Sequence, residues 1–537
     1  MSRTTSPTAA DLREASTRLR EAFALDALDE QVPLRFPSSA APEVPETFRT
    51  RSWYTYPGCA GLTDLDALAD FGDLYVALHL IDFSPLRGEL VRLTGIQPNG
   101  PGATPFDPVS LFLCCVLRWE TGKGWRTLAK FLANPEGPCW RRLCGFRGHD
   151  TPAPSTMRHF FRALPRAFLM DLAPRFITLL KDAELLPPHD PQSAVPARDG
   201  LPLALDGMLH DAHSSMHCSQ VTATCYQPTS PAHPRPCPAR AAGRRGCACD
   251  TPACADACRR ATPRDPDARF IHYTGRNQDG EEDPRRARNV HGYRSYAGLL
   301  VDDELHTYWV AYTSVHPANT DERTIFPQDF ADLQARLPHL PIGEVVADAA
   351  LGYTACLDAI YDAHAIPIVE IRHAPTDDDA DACLLRGYDD AGHPLCPHGY
   401  PMAFNGLDYE RLRAAWICRQ VCARTAAAPE DRDCPFRDPD HPLGCVRHVS
   451  RAFTHPDGSR HARLARLFAY DSPTWQDRYG SRRNATESRN SQLENLDLKR
   501  IWSYGLGGAT ADLTFADLLI NLRTLGRLVR QASLLPD

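Results

Sequence analysis

Three acidic residues stand where phosphodiester chemistry would need them. Asp206 closes the short apolar run PLALDG, Asp348 closes GEVVAD within GEVVADAALGY, and Glu487 lies in a stretch around residues 481–498 that reads as a helix. Magnesium and manganese take oxygen ligands, so clustered carboxylates on a rigid frame suit them. Two such ions about 4 Å apart can activate the attacking oxygen at a phosphorus and stabilise the leaving one. A single aspartate after an apolar run is ordinarily just a strand end. The three together, in this order, are a much stronger signal of a metal-dependent site for displacement at phosphorus. Glu494, two helical turns beyond Glu487, is the rival for the third carboxylate.

The elements that must carry these groups alternate in type. After PLALDG come two β-like runs, GYRSYAGLLVDD (292–303) and HTYWVAYTSVH (306–316), with a turn between them. ERTIFPQDFADLQARL reads as a helix whose start Pro327 should break. GEVVAD, the helical TACLDAIYDAHA and the strand IPIVEI complete an alternating unit, and a long apolar helix follows at 511–533. Strand, hairpin, helix, strand, helix, strand, insertion and a helix with Glu487 is the order of an α/β fold of the ribonuclease-H-like kind.

The region before it reads as α-helical. Thr8 and Asp11 resemble a capping pair for a stretch running through Phe23. Asp107 and Pro108 supply an N-cap and a first-turn proline for VSLFLCCVLRW, and GWRTLAKFLAN and PAPSTMRHFFRALPRAFLMDL follow. Three short helices with tight breaks suit either a helix-turn-helix or a plain bundle. A proline-rich stretch at 185–200 then reads as a linker. The expected organisation is a helical N-terminal DNA-binding domain over 1–190 and a catalytic core over 200–375 and 475–537. The core carries a cysteine-rich insert at 216–262, and a second cysteine-rich insertion fills 376–474.

At 537 residues the chain is long enough for two or three domains, and its net charge of −8 argues against a protein that merely coats DNA. The N-terminus lacks an apolar signal core and no long apolar run appears, so a cytoplasmic, nucleoid-associated protein with no membrane span is expected. Lysine occurs only at Lys123, Lys130, Lys181 and Lys499, which leaves arginine nearly all of the 59 basic positions. Arginines cluster around Glu487 (Arg478, Arg482, Arg483, Arg489 and, with Lys499, Arg500), between Arg235 and Arg260, and at Arg285, Arg286, Arg288 and Arg294. The first group is the strongest candidate for phosphate contacts.

Nineteen cysteines without a signal peptide suggest metal more than disulfides. Cys218, Cys225, Cys237, Cys247, Cys249, Cys254 and Cys258 form one cluster, in which the last four are candidate zinc ligands. Cys396, Cys418, Cys422, Cys434 and Cys445, with histidines nearby, form the other. Four thiolates around zinc can staple a segment that has no apolar core of its own. Cys114, Cys115 and Cys356 fall in apolar helices and read as core residues.

ALDGMLHDA, VVADAALGY and RYGSRRNATESRNSQLENLDLKR resemble the three catalytic motifs of bacterial insertion-sequence DDE transposases. The branch is the one whose third motif reads Tyr-x-x-Arg-x-x-x-Glu-x-x-x-x-x-x-Lys. The helical segment from FDPVSLF to MRHFFRAL is similar to their N-terminal domain, and DPDARF and VHGYRSY also recur, so the resemblance spans roughly residues 100–530. It implies that Asp206, Asp348 and Glu487 bind a pair of Mg2+ or Mn2+ ions and that Arg483, with Arg489-Asn490-Ser491, continues the third motif. Tyr479, Arg482, Arg483, Arg489, Lys499 and Arg500 would then contact DNA. Tyr479 stands four residues before Arg483 instead of three, and Glu494 occupies the place of the motif lysine, for which Lys499 or Arg500 could substitute. The partners implied are double-stranded DNA, at the element's terminal repeats and at the target, and a second copy of the chain. A nuclease that never joins strands, or a transposase-derived DNA-binding protein without activity, remains the alternative.

Overall fold

The computed structural model describes residues 33–39, 49–58, 72–96, 102–134, 137–187, 189–213, 265, 267–273, 288–370, 389, 393–395, 401–418, 445–449, 467–468 and 472–534. The chain is mixed α/β. Its helical part comprises α1 (Asp73–Leu80), α2 (Arg87–Thr94), α3 (Pro108–Glu120), α4 (Trp125–Ala133), α5 (Pro138–Leu143), α6 (Pro154–Ala163) and α7 (Arg166–Asp182). A single turn, α8 (Pro196–Asp199), leads into the sheet. Asp107 caps α3 as its sequence suggests: its side chain accepts from the Val109 amide at 3.0 Å, and Pro108 fills the first helical position, where no amide is needed. The same buried carboxylate takes the Tyr54 amide and the Arg87 guanidinium, so the cap also ties three segments together. The expected Thr8–Phe23 stretch lies outside the described residues.

The sheet is built from β1 (Leu201–Ala212), β2 (Arg269–Tyr273), β3 (Arg288–Asp302), β4 (Thr307–Pro317), β5 (Ile342–Ala347), β6 (Ile366–Val369) and β10 (Arg500–Ile501). A separate three-stranded antiparallel sheet comprises β7 (Ala403–Asp408), β8 (Arg413–Cys418) and β9 (Cys445–Val449). In the large sheet the order is β2-β3-β1-β5-β6, with β4 also on β3 and β10 on β1. β1, β3 and β4 are antiparallel neighbours, whereas β1, β5 and β6 run parallel. β5 and β6 are buried along their whole length, as expected of parallel strands covered on both faces.

Connecting helices are α9 (Glu322–Arg336) and α10 (Thr354–Asp362), and the described chain ends in α11 (Pro473–Asn495) and α12 (Gly505–Leu534). Pro327 does not break the start of α9. The Asp321 side chain caps the helix through the Arg323 amide at 2.9 Å, and Ile325, Phe326, Phe330 and Leu333 bury one stripe, which outweighs the single amide that the proline lacks. α12 packs on α1, α3, α7 and β4, so the helical part and the sheet share one apolar core. Gly526 allows the closest of these approaches, since a Cβ there would lie 1.9 Å from the Asp73 carbonyl oxygen. No helix among the described residues is long and apolar enough to cross a membrane.

Candidate active site

Asp206 lies within β1 opposite Ala297 of β3. The parallel pairing of Ala204 with Val346 sets the register of β1 on β5, and two residues further along each strand come Asp206 and Asp348. The step of two keeps both on the face that bears α11. Asp348 follows the last residue of β5, and its Oδ1 accepts from the Ala350 amide at 3.0 Å, fixing the turn that ends the strand. Asp206 Oδ1 accepts from the Gly207 amide at 2.9 Å.

α11 supplies the remaining groups. Ser472 caps it through the Trp475 amide at 3.2 Å and Pro473 follows, which starts the helix before the expected residue 481. Its buried residues are few: Trp475, Ala485, Thr486, Arg489 and Leu493. Polar grips hold it instead. Arg478 and Arg482 both ion-pair with Glu344 of β5, which is buried, and Arg482 also reaches Asp303 at 2.8 Å. Arg483 Nη1 lies 3.3 Å from Asp206 Oδ2, and Asn490 Nδ2 donates to that oxygen at 2.9 Å. Glu487 sits between these two on the helix, one turn after Arg483 and three residues before Asn490, so it shares their face. It is exposed.

The electrostatics follow from this crowding. Burial, and then the neighbouring charge of Asp206, push Asp348 up to about 6 against the pull of Arg483 and the Ala350 amide. Burial likewise raises Asp206, although Arg483, the Gly207 amide and Asn490 oppose it. Burial works against the charge on Arg483, yet Asp206, Asp348, Tyr479 and Glu487, in that order, together hold it above its usual range. One guanidinium thus feels all three candidate carboxylates. Among the described residues no three His, Cys, Asp or Glu side chains are close enough to share one metal ion as they stand.

Glu370, the residue after β6, was not singled out from the sequence. It neighbours Asp348 across the parallel ladder, accepts a hydrogen bond from the Tyr479 hydroxyl and adds to the negative charge that Asp348 feels. The signal was available: IPIVEI is another apolar run closing on an acid, on the strand after the one that ends at Asp348. Tyr479 also stacks on Trp475, with ring centroids 4.5 Å apart, so its phenol is held beside the site.

Several residues expected at the DNA lie elsewhere. Arg489 is 1% exposed and forms a two-pronged pair with Asp517 of α12 at 2.9 and 2.7 Å, with Thr313 of β4 on the same carboxylate at 2.7 Å. A guanidinium sealed in the core cannot reach a phosphate, so its expected DNA contact is corrected to a core ion pair. Arg482 is committed to Glu344 and Asp303, and Arg294 to Glu322 and the Tyr296 hydroxyl. Lys499 pairs with Glu494 at 2.9 Å, whereas Glu487, not Glu494, is among the charges that Arg483 feels. Arg500 is exposed on β10, opposite Asp211 of β1.

The candidate zinc ligands Cys247, Cys249, Cys254, Cys258, Cys396, Cys422 and Cys434 lie outside the described residues. Cys418 and Cys445 are register partners in the backbone pairing of β8 with β9. Cys114, Cys115 and Cys356 are buried free thiols, all raised by burial, in keeping with core roles.

A second basic surface also escaped the sequence reading. α4 exposes Arg126 and Lys130, and α6, packed on it, exposes Arg158, His159 and Arg162. Neither helix contains an acidic residue. In a chain of net charge −8 such a face is a local exception suited to polyanions. No protein-family model, curated protein or solved structure matches this chain.

Proposed function

We propose that the chain is a DDE-type transposase that cuts DNA at the ends of an insertion sequence and joins the freed 3′-hydroxyl to a target. Asp206, Asp348 and Glu487 are its carboxylates. The observation that carries the reading is the placement of Asp206 and Asp348 two residues beyond paired positions of adjacent parallel strands, with Arg483 of the Glu487 helix 3.3 Å from Asp206. The donor set is oxygen only, and Asp348 has the charges of Asp206 and Glu370 beside it, which suits hard divalent cations. Bound there, two Mg2+ or Mn2+ ions would activate the attacking oxygen and stabilise the leaving one. The sheet order, three antiparallel strands followed by two parallel ones with Asp206 central, agrees with a ribonuclease-H-like core. The resemblance of the three motifs to insertion-sequence transposases supplies the substrate: double-stranded DNA carrying terminal repeats, held by a dimer in the bacterial cytoplasm. The basic face of α4 and α6 is suited to the flanking duplex, and the cysteine-rich insertions are expected to hold zinc.

The test is a labelled fragment with the element's own terminus, incubated with Mg2+ or Mn2+. Wild type should cleave and join it. Asp348→Asn, which keeps the shape and removes the charge, should lose cleavage by orders of magnitude and retain binding. Arg158→Glu with Arg162→Glu should weaken binding and flatten its salt dependence. Specific binding without cleavage by wild type would favour an inactive DNA-binding derivative, and cleavage without joining a plain nuclease.

A further inference from the structure

Among the described residues the exposed large apolar side chains are Phe270, Trp502 and Tyr504, each 41% accessible. Two of them meet at one place. The His213 ring lies 4.8 Å from that of Trp502 and 6.2 Å, edge-on, from that of Tyr504. His213 is itself exposed. The group sits where β1 ends against β10, and its backbone is pinned. The His213 amide donates to the Ile501 carbonyl at 2.9 Å, the Ser503 amide to Asp512 at 3.1 Å, and the Gly505 amide to Asp265 at 3.1 Å. Three rings are therefore held out toward solvent by a rigid frame rather than by a loose loop.

The sheet register sets charge beside them. Arg269, Gly292, Asp211 and Arg500 are successive partners across β2, β3, β1 and β10, so their side chains form one row on one face. The row carries two exposed guanidiniums and one carboxylate, and Trp502 and His213 follow two residues further along their chains. The charge set beside these rings disfavours an apolar peptide or helix as the partner. Flat π faces flanked by guanidiniums match an unpaired base with its phosphate, for which aromatic stacking supplies about 1–3 kcal/mol per base.

We propose that Trp502, Tyr504 and His213, with Arg500 and Arg269, bind single-stranded nucleic acid by base stacking. In the proposed transposase the ligand would be an unpaired stretch of DNA near the cut, and in that sense the inference rests on the function proposed above. Its test does not. Binding of a fluorescent oligothymidylate to the full chain is measured in EDTA, where no metal-dependent cleavage takes place, alongside a duplex of the same length. Trp502→Ala and Tyr504→Ala should each weaken single-strand binding by about 5- to 150-fold, the range that stacking energies of this size imply. Duplex binding should stay within about twofold, because phosphate contacts carry it. Trp502→Phe, which keeps a ring, should retain most of the single-strand affinity, and thermal unfolding identifies any variant that fails to fold. The proposal is overturned if wild type binds no single strand, if Trp502→Phe binds as weakly as Trp502→Ala, or if the alanine variants lose duplex and single strand equally. A change in oligomeric state without any change in single-strand affinity would assign the patch to a second copy of the chain instead.

Discussion

Asn490 donates its side-chain amide to the Asp206 carboxylate at 2.9 Å, and this bond sets where the Glu487 helix lies on the sheet. Arg483 reaches the same carboxylate oxygen one helical turn on the far side of Glu487. Two anchors therefore bracket the candidate third ligand. α11 has little apolar surface to dock with, so its position depends on such polar contacts more than that of a typical amphipathic helix does.

Replacing Asn490 by alanine should therefore act on the site before it acts on the fold. Support of this kind for a liganding carboxylate typically changes metal affinity or activity by roughly 10- to 100-fold. We expect a cleavage loss of that size for Asn490→Ala and a stability loss of about 1–3 kcal/mol, the usual cost of removing a hydrogen bond to a half-buried charged group. Cleavage rates at saturating Mg2+ and urea denaturation check the two separately. Unchanged cleavage would mean that Asn490 does not position Asp206.

Arg489 should behave in the opposite way. Its pair with Asp517 is sealed from solvent, and Arg489→Leu would strand a buried carboxylate at a cost of about 3–5 kcal/mol. Arg489→Met combined with Asp517→Leu should recover most of that loss. Any protein that stays folded should bind duplex DNA as wild type does. A fall in DNA affinity without a fall in stability would return Arg489 to the DNA.

The pH dependence of the metal-free protein should carry the signature of Asp348. Its folded-state value, about 6, lies above the ordinary 3.8, so between these limits the native chain binds more protons than the unfolded one. Stability must then decrease as pH rises through that window, by up to about 3 kcal/mol from this group, and level off above it. Asp206, raised in the same sense, adds to the trend. Denaturation in EDTA between pH 4 and 7 should show a smaller decrease for Asp348→Asn than for wild type. Identical slopes would contradict the burial of this carboxylate beside Asp206.

Zinc is the expected staple of the second cysteine-rich insertion. Elemental analysis of purified protein should find it, and Cys418→Ser should reduce the amount together with the resistance of residues 401–449 to proteolysis. The pairing of Cys418 with Cys445 across two strands brings ligand candidates that are far apart in sequence into one place. Zinc-free protein with all its thiols open to titration would overturn the assignment.

Much of the frame that carries the candidate site is legible in the residues. Asp348 stands out because a buried parallel strand needs an unbroken apolar run and an acid at its end is conspicuous, whereas Asp206, expected at a strand end, lies in the middle of β1, which continues to Ala212. β3, β4 and α12 lie within a few residues of their expected bounds for similar reasons of pattern. Arg489 was misread because a helix sequence does not tell a buried arginine from an exposed one. Its spacing from Ala485 and Leu493 marks the buried stripe, but its partner Asp517 lies on another helix. Glu370 closes the apolar run of IPIVEI as Asp348 closes its own but is less conspicuous, because Asp206, Asp348 and Glu487 already supply three carboxylates. α5 escaped notice because six residues opening on Pro138 are too few to show a period. The basic face shared by α4 and α6 exists only once the two helices are packed, so no single run of residues displays it.

The close approach of Gly526 to Asp73 also bears on the order of assembly. Arg530 ion-pairs with Asp73 across 457 residues of chain, and α12 covers apolar surface of α1, α3 and α7. At a synthesis rate of about 5–20 residues per second, the early helices emerge roughly 20–90 s before the helix that covers them. During that interval their apolar faces have no native partner, and a message cut short before α12 leaves them permanently open. The last described helix thus makes folding conditional on its own synthesis: a product cut short before it keeps Asp206 and Asp348 but not the cover of the core that supports them.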